Sequence, residues 1–499
     1  MSAATPIYLD YAATTPVDAR VAEAMASCLS LGGDFGNASS SHAFGRAAAA
    51  RIERARSQVA ALIGARADEI VFTSGATESN NLAILGVARA NADRGRHLVT
   101  ARTEHKAVLD PCKRLEKEGF SVTYLTPAPS GLVSPAAVAA ALRPDTQLVS
   151  LMGVNNEIGV VQDLAGIGAL CRERGVAFHS DCAQAAGKVP LDVKALPVDF
   201  LSFTAHKIYG PKGIGALYVR ASAGGLLQPV TFGGGQEHGW RPGTLANHQI
   251  AGFGAACEIA AAELPAESVR LTALRERLWA RLSVLGGVHL NGAEAPRVPG
   301  ILNVSFEAVE GESLVSALAG FAVSTGAACN SASAEASYVL RALGRDALLA
   351  GSSLRLSVGR FSRAAEVDLA ASAIAREVTR LRALSPASGV APVLELAAED
   401  EAGTVLSGEA GGPKDETWVR FHLLVEGDTV KDARVQVFGC PHTVDVAGWL
   451  SQEVRGRSRE ALPPGKVADW AVSRSVPVEK LGRLLVIEDA LRACLLKWP

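Results

Sequence analysis

The sequence predicts an α/β protein: a mostly parallel sheet covered by helices on both faces, then a smaller α+β unit, then a compact C-terminal α+β module. Three observations carry this. From Val17 to Ile259, short β-rich runs alternate with Ala-rich helical stretches. From Glu267 to Leu384 the rhythm changes to long helices around two strand-like runs. From Glu416 onward, after a stretch rich in Pro, Ala, Gly and Glu, strand-like sequence returns and helical patterns follow it.

The β-type runs of the first part are EIVFTSG (Glu69–Gly75), HLVTA (His97–Ala101), SVTYLTP (Ser121–Pro127), QLVSLMGV (Gln147–Val154), VAFHSDCAQ (Val176–Gln184), VDFLSFTAHK (Val198–Lys207) and IGALYVR (Ile214–Arg220). Helical patterns such as RAAAARIERARSQVAALIG (Arg46–Gly64) lie between them, the alternation of a parallel sheet. The second part opens on the helix ESVRLTALRERLWARLSVL, continues through GILNVSFEAV and SSLRLSVGRF, and closes on AEVDLAASAIAREVTRLRAL. Residues 385–415 read as a linker, with a short helix at LELAAEDE. ETWVRFHLLVEGDTVKDARVQVFGC reads as three strands, with turns at Glu426-Gly427-Asp428 and near Lys431-Asp432. TVDVAGWLSQEVRG and VIEDALRACLLKW read as helices.

A chain of 499 residues is too long for one core, so two or three domains are expected. Lys and Arg number 49 against 51 Asp and Glu, which gives no reason to expect nucleic acid or an anionic membrane as main partner. MSAATPIYLDYAATTP lacks the basic and apolar regions of a secretory signal, and no run reaches the length of a membrane span, so a cytoplasmic location is expected. The eight cysteines form no C-x-x-C pair, and in a reducing compartment most are buried thiols. Cys329 stands apart. STGAACNSAS surrounds it with small and hydroxylated residues that could not bury it.

Ligands of such sheets gather beyond the carboxyl ends of the strands. Lys207 follows a strand directly, beside Thr204 and His206. It is a surface lysine or, with a lowered pKa, a Schiff-base former whose neighbours hold a phosphate. Asp181 ends another strand, with Gln184 three residues on. It is a helix N-cap or the carboxylate that keeps a pyridinium protonated. The turn TSGATESNN, with Ala76 and Thr77, is a tight turn or an anion site at a helix N-terminus. His105 could stack on a ring and move protons, and Asn156 in VNNEIG offers an amide to a ring hydroxyl. Each ordinary reading prevails alone. Together these five strand ends make the set a pyridoxal 5'-phosphate site requires.

TSGATES, EHKAVLD, VNNEIGVVQD, HKIYGPKGIGALYVR, STGAACNSAS, SYVLRALG and SSLRLSVGRF resemble the pyridoxal-phosphate-dependent cysteine desulfurases of iron–sulfur cluster assembly, long-Cys-loop group, within the class V aminotransferase superfamily. The resemblance runs from Tyr8 to Leu384. It implies a fold-type I transferase in residues 1–384, with a large cofactor-binding domain at 17–262 and a small domain from 1–16 and 263–384. It implies Lys207 as cofactor lysine, Asp181 at the pyridinium, and His105 on the ring. Asn156 and Gln184 would address substrate amine or ring hydroxyl. Ala76, Thr77, Thr204 and His206 would bind phosphate, with Thr244 completing that site from the other subunit of a homodimer. Arg355 and Asn37 would hold the substrate carboxylate. Cys329 would take sulfur from L-cysteine as a persulfide, leaving L-alanine, and is also a transient iron–sulfur ligand candidate. Ala38 and Pro242 depart from the family pattern, which has Pro and Ser there, and Cys182 beside Asp181 reads as packing.

VKDARVQVFGCPHTVDVAGWLSQEVRGRS and VPVEKLGRLLVIEDALRA resemble iron–sulfur scaffold proteins over residues 416–499. Of three expected cysteines only Cys440 is present, and Gly482-Arg483 stand where a His-Cys pair is expected. The resemblance therefore implies a degenerate scaffold-like module. Cys440, helped by His442, is a candidate sulfur acceptor or a buried thiol. The alternatives to a desulfurase are a selenocysteine lyase or related class V enzyme, and, in another class, a scaffold or regulatory platform for sulfur transfer.

Overall fold

The computed structural model describes residues 5–325, 336–383, 403–412 and 416–499. The chain runs β1 (Ile7–Tyr8), α1 (Ala19–Ala26), α2 (Ala43–Leu62), β2 (Ile70–Thr73), α3 (Ala76–Ala90), β3 (His97–Ala101), α4 (Lys106–Lys117), β4 (Ser121–Leu125), α5 (Pro135–Ala141), β5 (Thr146–Ser150), α6 (Leu164–Glu173), β6 (Ala177–Asp181), β7 (Phe200–Thr204), β8 (Gly215–Val219) and α7 (Asn247–Leu282). Seven strands form one sheet in the order β2-β8-β7-β6-β5-β3-β4. All run parallel except β8, which is antiparallel to both neighbours. All seven expected runs are strands of this sheet.

Alternate residues of each strand feed opposite layers, as the pleat requires. Phe72, Val99, Phe178, Leu201 and Phe203 pack with α2 and α7 on one face. Val71, Leu98, Leu148, Phe200 and Leu217 pack with α3 and α4 on the other. Burial on both faces explains the continuous apolar runs.

The chain continues through β9 (Val288–Leu290), β10 (Ile301–Phe306), α8 (Gly311–Ala317), β11 (Phe321–Ala322), α9 (Tyr338–Ala342), α10 (Ala347–Gly351), β12 (Ser353–Ser357) and α11 (Ala364–Ala383). The order β12-β10-β9 makes a small antiparallel sheet over a separate apolar cluster. The structure differs from expectation in one respect here. The helix expected to begin at Glu267 is the last half of α7, which runs unbroken across residue 262 and carries Pro265 inside it. Proline removes one backbone bond, but packing on α2, α1 and α11 holds the helix through it.

The C-terminal part holds β13 (Thr404–Gly412), β14 (Thr417–Glu426), β15 (Thr429–Phe438), α12 (Pro441–Glu453), α13 (Val467–Ser473) and α14 (Leu481–Leu495) around its own core. Two expectations are corrected. ETWVRFHLLVEGDTVKDARVQVFGC makes two strands, β14 and β15. The expected turn near Lys431-Asp432 is absent, since the hairpin turns once and keeps pairing past a register shift at Leu424/Val425. The third strand is β13, inside the stretch read as linker, and it pairs with β14 along its whole length. Its glycines hid it. A Cβ on Gly408 would stand 2.3 Å from the Cys494 backbone nitrogen and 2.5 Å from the Ala490 oxygen, so α14 lies against bare backbone. The helix expected at residues 394–401 lies outside the described residues. No helix among the described residues is long and apolar enough to cross a membrane.

Gly408→Val should destabilise the C-terminal module by about 1–3 kcal/mol, the usual cost of overpacking. Hydrogen exchange should show faster opening confined to residues 403–499. Unchanged protection there would contradict the close approach of α14.

Candidate active site

The carboxyl ends of the parallel strands, with Arg355 from β12, enclose a cleft of about 530 Å³. Ala76, Thr77, His105, Asn156, Asp181, Gln184, Thr204, His206, Lys207 and Arg355 all line it. β8 runs the other way, so its start brings Gly213 and Lys212 to the same end.

Beyond β2, Ser74 and Gly75 turn into α3. Gly75 has φ +152°, and a Cβ on Gly215 would stand 2.7 Å from its Cα, so both positions demand glycine. The first backbone N–H groups of α3 face the cleft with the positive end of the helix. Beyond β3, His105 caps α4, its Nδ1 accepting from Ala107 N at 3.1 Å. In the neutral ring this places the proton on Nε2.

Asp181 ends β6 in the wall of the cleft. Its Oδ2 accepts from Asn80 Nδ2 at 2.7 Å and its Oδ1 from Ala183 N at 2.9 Å. Both partners are neutral, so the carboxylate charge is left for a cation in the cleft. Gln184 donates Nε2 to Ala12 O at 2.7 Å and accepts at Oε1 from Lys188 Nζ at 2.6 Å. Beyond β7, Thr204 Oγ1 donates to Ile214 O, and His206 Nδ1 lies 3.1 Å from Thr14 Oγ1. Lys207 Nζ donates to Ala12 O and Ala13 O, both at 2.6 Å. Burial, then Lys207 and Lys212, pull His206 down to about 4.

Arg355 is 4 % exposed and holds Asp10 Oδ1 at 2.8 Å and Asn156 O at 3.0 Å. Its Nε and the Asn156 Oδ1 are buried without partners among the described residues. One guanidinium N–H and one amide oxygen thus remain unsatisfied at the cleft, as a site for a polar ligand requires. Together with the amine, the carboxylate and the helix N-terminus, these groups fit pyridoxal phosphate. Lys207 and Asp181 would meet its aldehyde and ring nitrogen, and Ala76, Thr77, Thr204 and His206 its phosphate.

Two expected residues are not brought to the cleft within this chain. Asn37 is exposed and its Oδ1 accepts from Ser39 N at 3.0 Å. Thr244 is exposed, and neither residue lines the cleft. Cys329 lies outside the described residues. Cys182 is fully buried and its thiol is pushed up to about 12 by that burial. Cys440 is also fully buried, with its Sγ 3.3 Å from Thr443 Oγ1. Sequence reasoning missed Ala12, Ala13, Thr14, Asn80 and Lys212, which line the cleft as well. The run YAATTP was the available signal, since its small residues let backbone approach Lys207.

The family model described as Aminotransferase class-V matches residues 7–369. The chain is 58% identical over 382 residues to the cysteine desulfurase IscS of Aeromonas hydrophila, covering 76% of this chain and 95% of that one. It is 57% identical, with the same coverage, to the IscS of Pseudomonas aeruginosa. Among solved structures, a NifS-like protein superposes with TM-score 0.70 at 35% identity, over 75% of this chain and 100% of the other. SspA in complex with cysteine gives 0.64 at 39%, over 70% and 98%.

His179 is held between Ser150 Oγ and Ser202 Oγ, and burial drives its pKa from 6.5 to about 3. It stays neutral in the fold but protonates in the unfolded chain below 6.5, so stability is lost as pH falls from 6.5 toward 3. Each such histidine should steepen the loss by about 1.4 kcal/mol per pH unit. The unfolding free energy of His179→Asn, followed by denaturant titration between pH 6.5 and 4, should fall less steeply than wild type. Equal slopes would refute the assignment.

Proposed function

We propose, from the premise that the chain belongs to the class-V aminotransferase family and is a pyridoxal-phosphate-dependent cysteine desulfurase, a division of labour among its residues. Lys207 holds the cofactor and Asp181 keeps its ring nitrogen protonated. His105 would stack on the ring and carry a proton at Nε2. Ala76, Thr77, Thr204 and His206 hold the phosphate. Asn156 and Gln184 address the ring hydroxyl or substrate amine. The observation that carries this reading is the single cleft where these groups converge at the strand ends. When bound, pyridoxal phosphate supplies an electron sink that loosens bonds at the substrate's α- and β-carbons.

Arg355 receives the α-carboxylate of L-cysteine, which competes with Asp10 for the guanidinium. Asn37 assists. The Cys329 thiolate attacks the substrate sulfur. A sulfur–sulfur bond forms, the carbon–sulfur bond breaks, and the carbon that keeps the electron pair takes a proton to give L-alanine. The product on the protein is a Cys329 persulfide, handed to a sulfur acceptor or iron–sulfur scaffold protein.

Two chains pair as a homodimer in which Thr244 completes the partner's phosphate site. Phe232, Leu29, Leu31 and Phe35, exposed apolar side chains near Thr244 and Asn37 in sequence, support this. The seven described cysteines are free and buried, which suits a reducing cytoplasm.

The C-terminal part acts as a degenerate scaffold-like module docked on the body. Gly439 O accepts from Ser313 Oγ of α8 at 2.8 Å, and Lys480 pairs with Glu312. Arg483 reaches Glu416 at 2.9 Å and Glu310 at 3.7 Å. Burial opposes the Arg483 charge, but Cys440 beside it, with Glu310 and Glu312, keeps it protonated. Arg483 is therefore a charged neighbour of Cys440. Complete burial of Cys440 favours a docked module over a sulfur relay in this arrangement, so sulfur leaves Cys329 for a separate acceptor.

Cys329→Ser should keep the visible absorption of bound pyridoxal phosphate while alanine production falls to about 1% or less of wild type. Retained alanine production would remove Cys329 from the mechanism. Mass spectrometry after adding L-cysteine should map the persulfide to Cys329 and not Cys440. A persulfide on Cys440, or an iron–sulfur spectrum that needs Cys440, would overturn the docked reading of the module.

A further inference from the structure

Lys188 lines a small cavity of about 40 Å³, with Tyr11, Ile208, Tyr209, Leu264, Leu271 and Val298, and its partner Gln184 lines the cofactor cleft. A lysine is a costly choice for such a wall, since burial disfavours its charge. Its Nζ meets one polar partner at short range, Gln184 Oε1 at 2.6 Å. The charged groups that act on it are Lys207 and Arg355, both repelling, and Glu267 of α7, attracting.

We infer that Lys188 is a positioning residue that fixes the side-chain amide of Gln184, so that its nitrogen and not its oxygen serves both the Ala12 carbonyl and the cofactor cleft. A protonated lysine only donates, so Oε1 faces it. Nε2 must then face Ala12 O, where it lies at 2.7 Å. That same carbonyl accepts from Lys207 Nζ at 2.6 Å. Lys188, Gln184, Ala12 and Lys207 thus form one chain of contacts ending on the proposed cofactor lysine. With one N–H on Ala12, the second N–H of Gln184 is what the cleft receives, which suits a ring hydroxylate and not a donor. Burial first, then Lys207 and Arg355, pull Lys188 down to about 7. Near neutral pH it therefore adds a titrating positive charge close to Lys207, which disfavours a second one there.

The inference rests on the cofactor assignment above, and its test separates the two. Wild type, Lys188→Met, Gln184→Leu and the double variant are loaded with pyridoxal phosphate, and bound cofactor is followed by visible absorption. Methionine keeps the length of the side chain and suits the apolar wall, so it removes only the donor and the charge. Lys188→Met should move the pH midpoint of the absorption band upward by about one unit. It should also lose cofactor about tenfold faster on dialysis. Gln184→Leu should lose cofactor similarly, and the double variant should be no worse than the worse single one, because the residues act in series. Lys188→Arg, which keeps donor and charge, should restore the midpoint. Gln184→Glu, which keeps an acceptor for Lys188 but has no N–H, should behave as Gln184→Leu and carries the test if Lys188→Met does not fold. An unshifted midpoint in Lys188→Met, additive losses in the double variant, or wild-type retention in Gln184→Glu would overturn the inference. A wild-type protein that takes up no pyridoxal phosphate would instead sink the cofactor assignment, and this inference with it.

Discussion

The carbonyl oxygens of Ala12 and Ala13 accept the Lys207 amine, and much of the remaining architecture serves to keep that strip of backbone in place. Thr15 clamps the lysine turn from the other side: its N and Oγ1 both donate to His206 O, and Oγ1 accepts from Tyr209 N at 2.8 Å. Tyr209 pays in strain with φ +66°, and its carbonyl and hydroxyl are held by Asp18 N and Arg360 N. Upstream, β1 pairs with β11, Ala12 N donates to Ser357 Oγ, and Asp10 holds Arg355. The segment from Ile7 to Thr14 therefore reaches from the β1–β11 pair and the edge of β12 to the strand-end cleft of the large sheet. The positions of Lys207 and Arg355 are coupled through it.

The charges of the cleft follow a simple division. The acids are already engaged: Asp10 by Arg355, Glu78 by Arg241, and Asp181 by two neutral N–H donors. Of the cations, Lys207 rests on two neutral carbonyl oxygens, whereas Arg355 is held by Asp10. An anionic phosphate or carboxylate entering here meets in Lys207 a donor that gains more from it than from its present partners. Asp181 differs from the other acids because its partners carry no charge. It stays able to stabilise a protonated ring nitrogen, where an arginine-paired carboxylate would not.

What could be read from the chain and what could not divide along physical lines. The seven strands were legible because burial on both faces writes continuous apolar runs. Nine of the expected site residues were legible because a parallel sheet delivers its strand ends to one place, while Arg355 of β12 was expected from the resemblance. β13 was not, because close packing against α14 requires glycine where strand propensity wants a β-branched residue. The continuity of α7 was not, because Pro265 imitates a boundary that tertiary contacts override. Lys188 was passed over four residues beyond Gln184, since nothing in sequence shows that its amine turns inward onto Gln184. Asn37 and Thr244 are the remaining case. Their expected roles came from resemblance, and a single chain holds neither of them at the cleft.

The junction between body and C-terminal module closes around a thiol. Cys440 begins α12 and is closed off by Thr443, Arg483 and the acidic start of α8. A half-buried guanidinium beside a buried thiol needs counter-charge, and Glu310 and Glu416 provide it from opposite sides of the junction. Glu310 is itself buried, which raises its pKa, and it also accepts from Ser313 N at 2.7 Å to cap α8. Removing the module would leave that carboxyl without Arg483. Removing the body would leave Arg483 with Glu416 alone. Each part satisfies a buried or half-buried charge of the other, so the junction is polar yet specific, and the docked arrangement is built into both sequences.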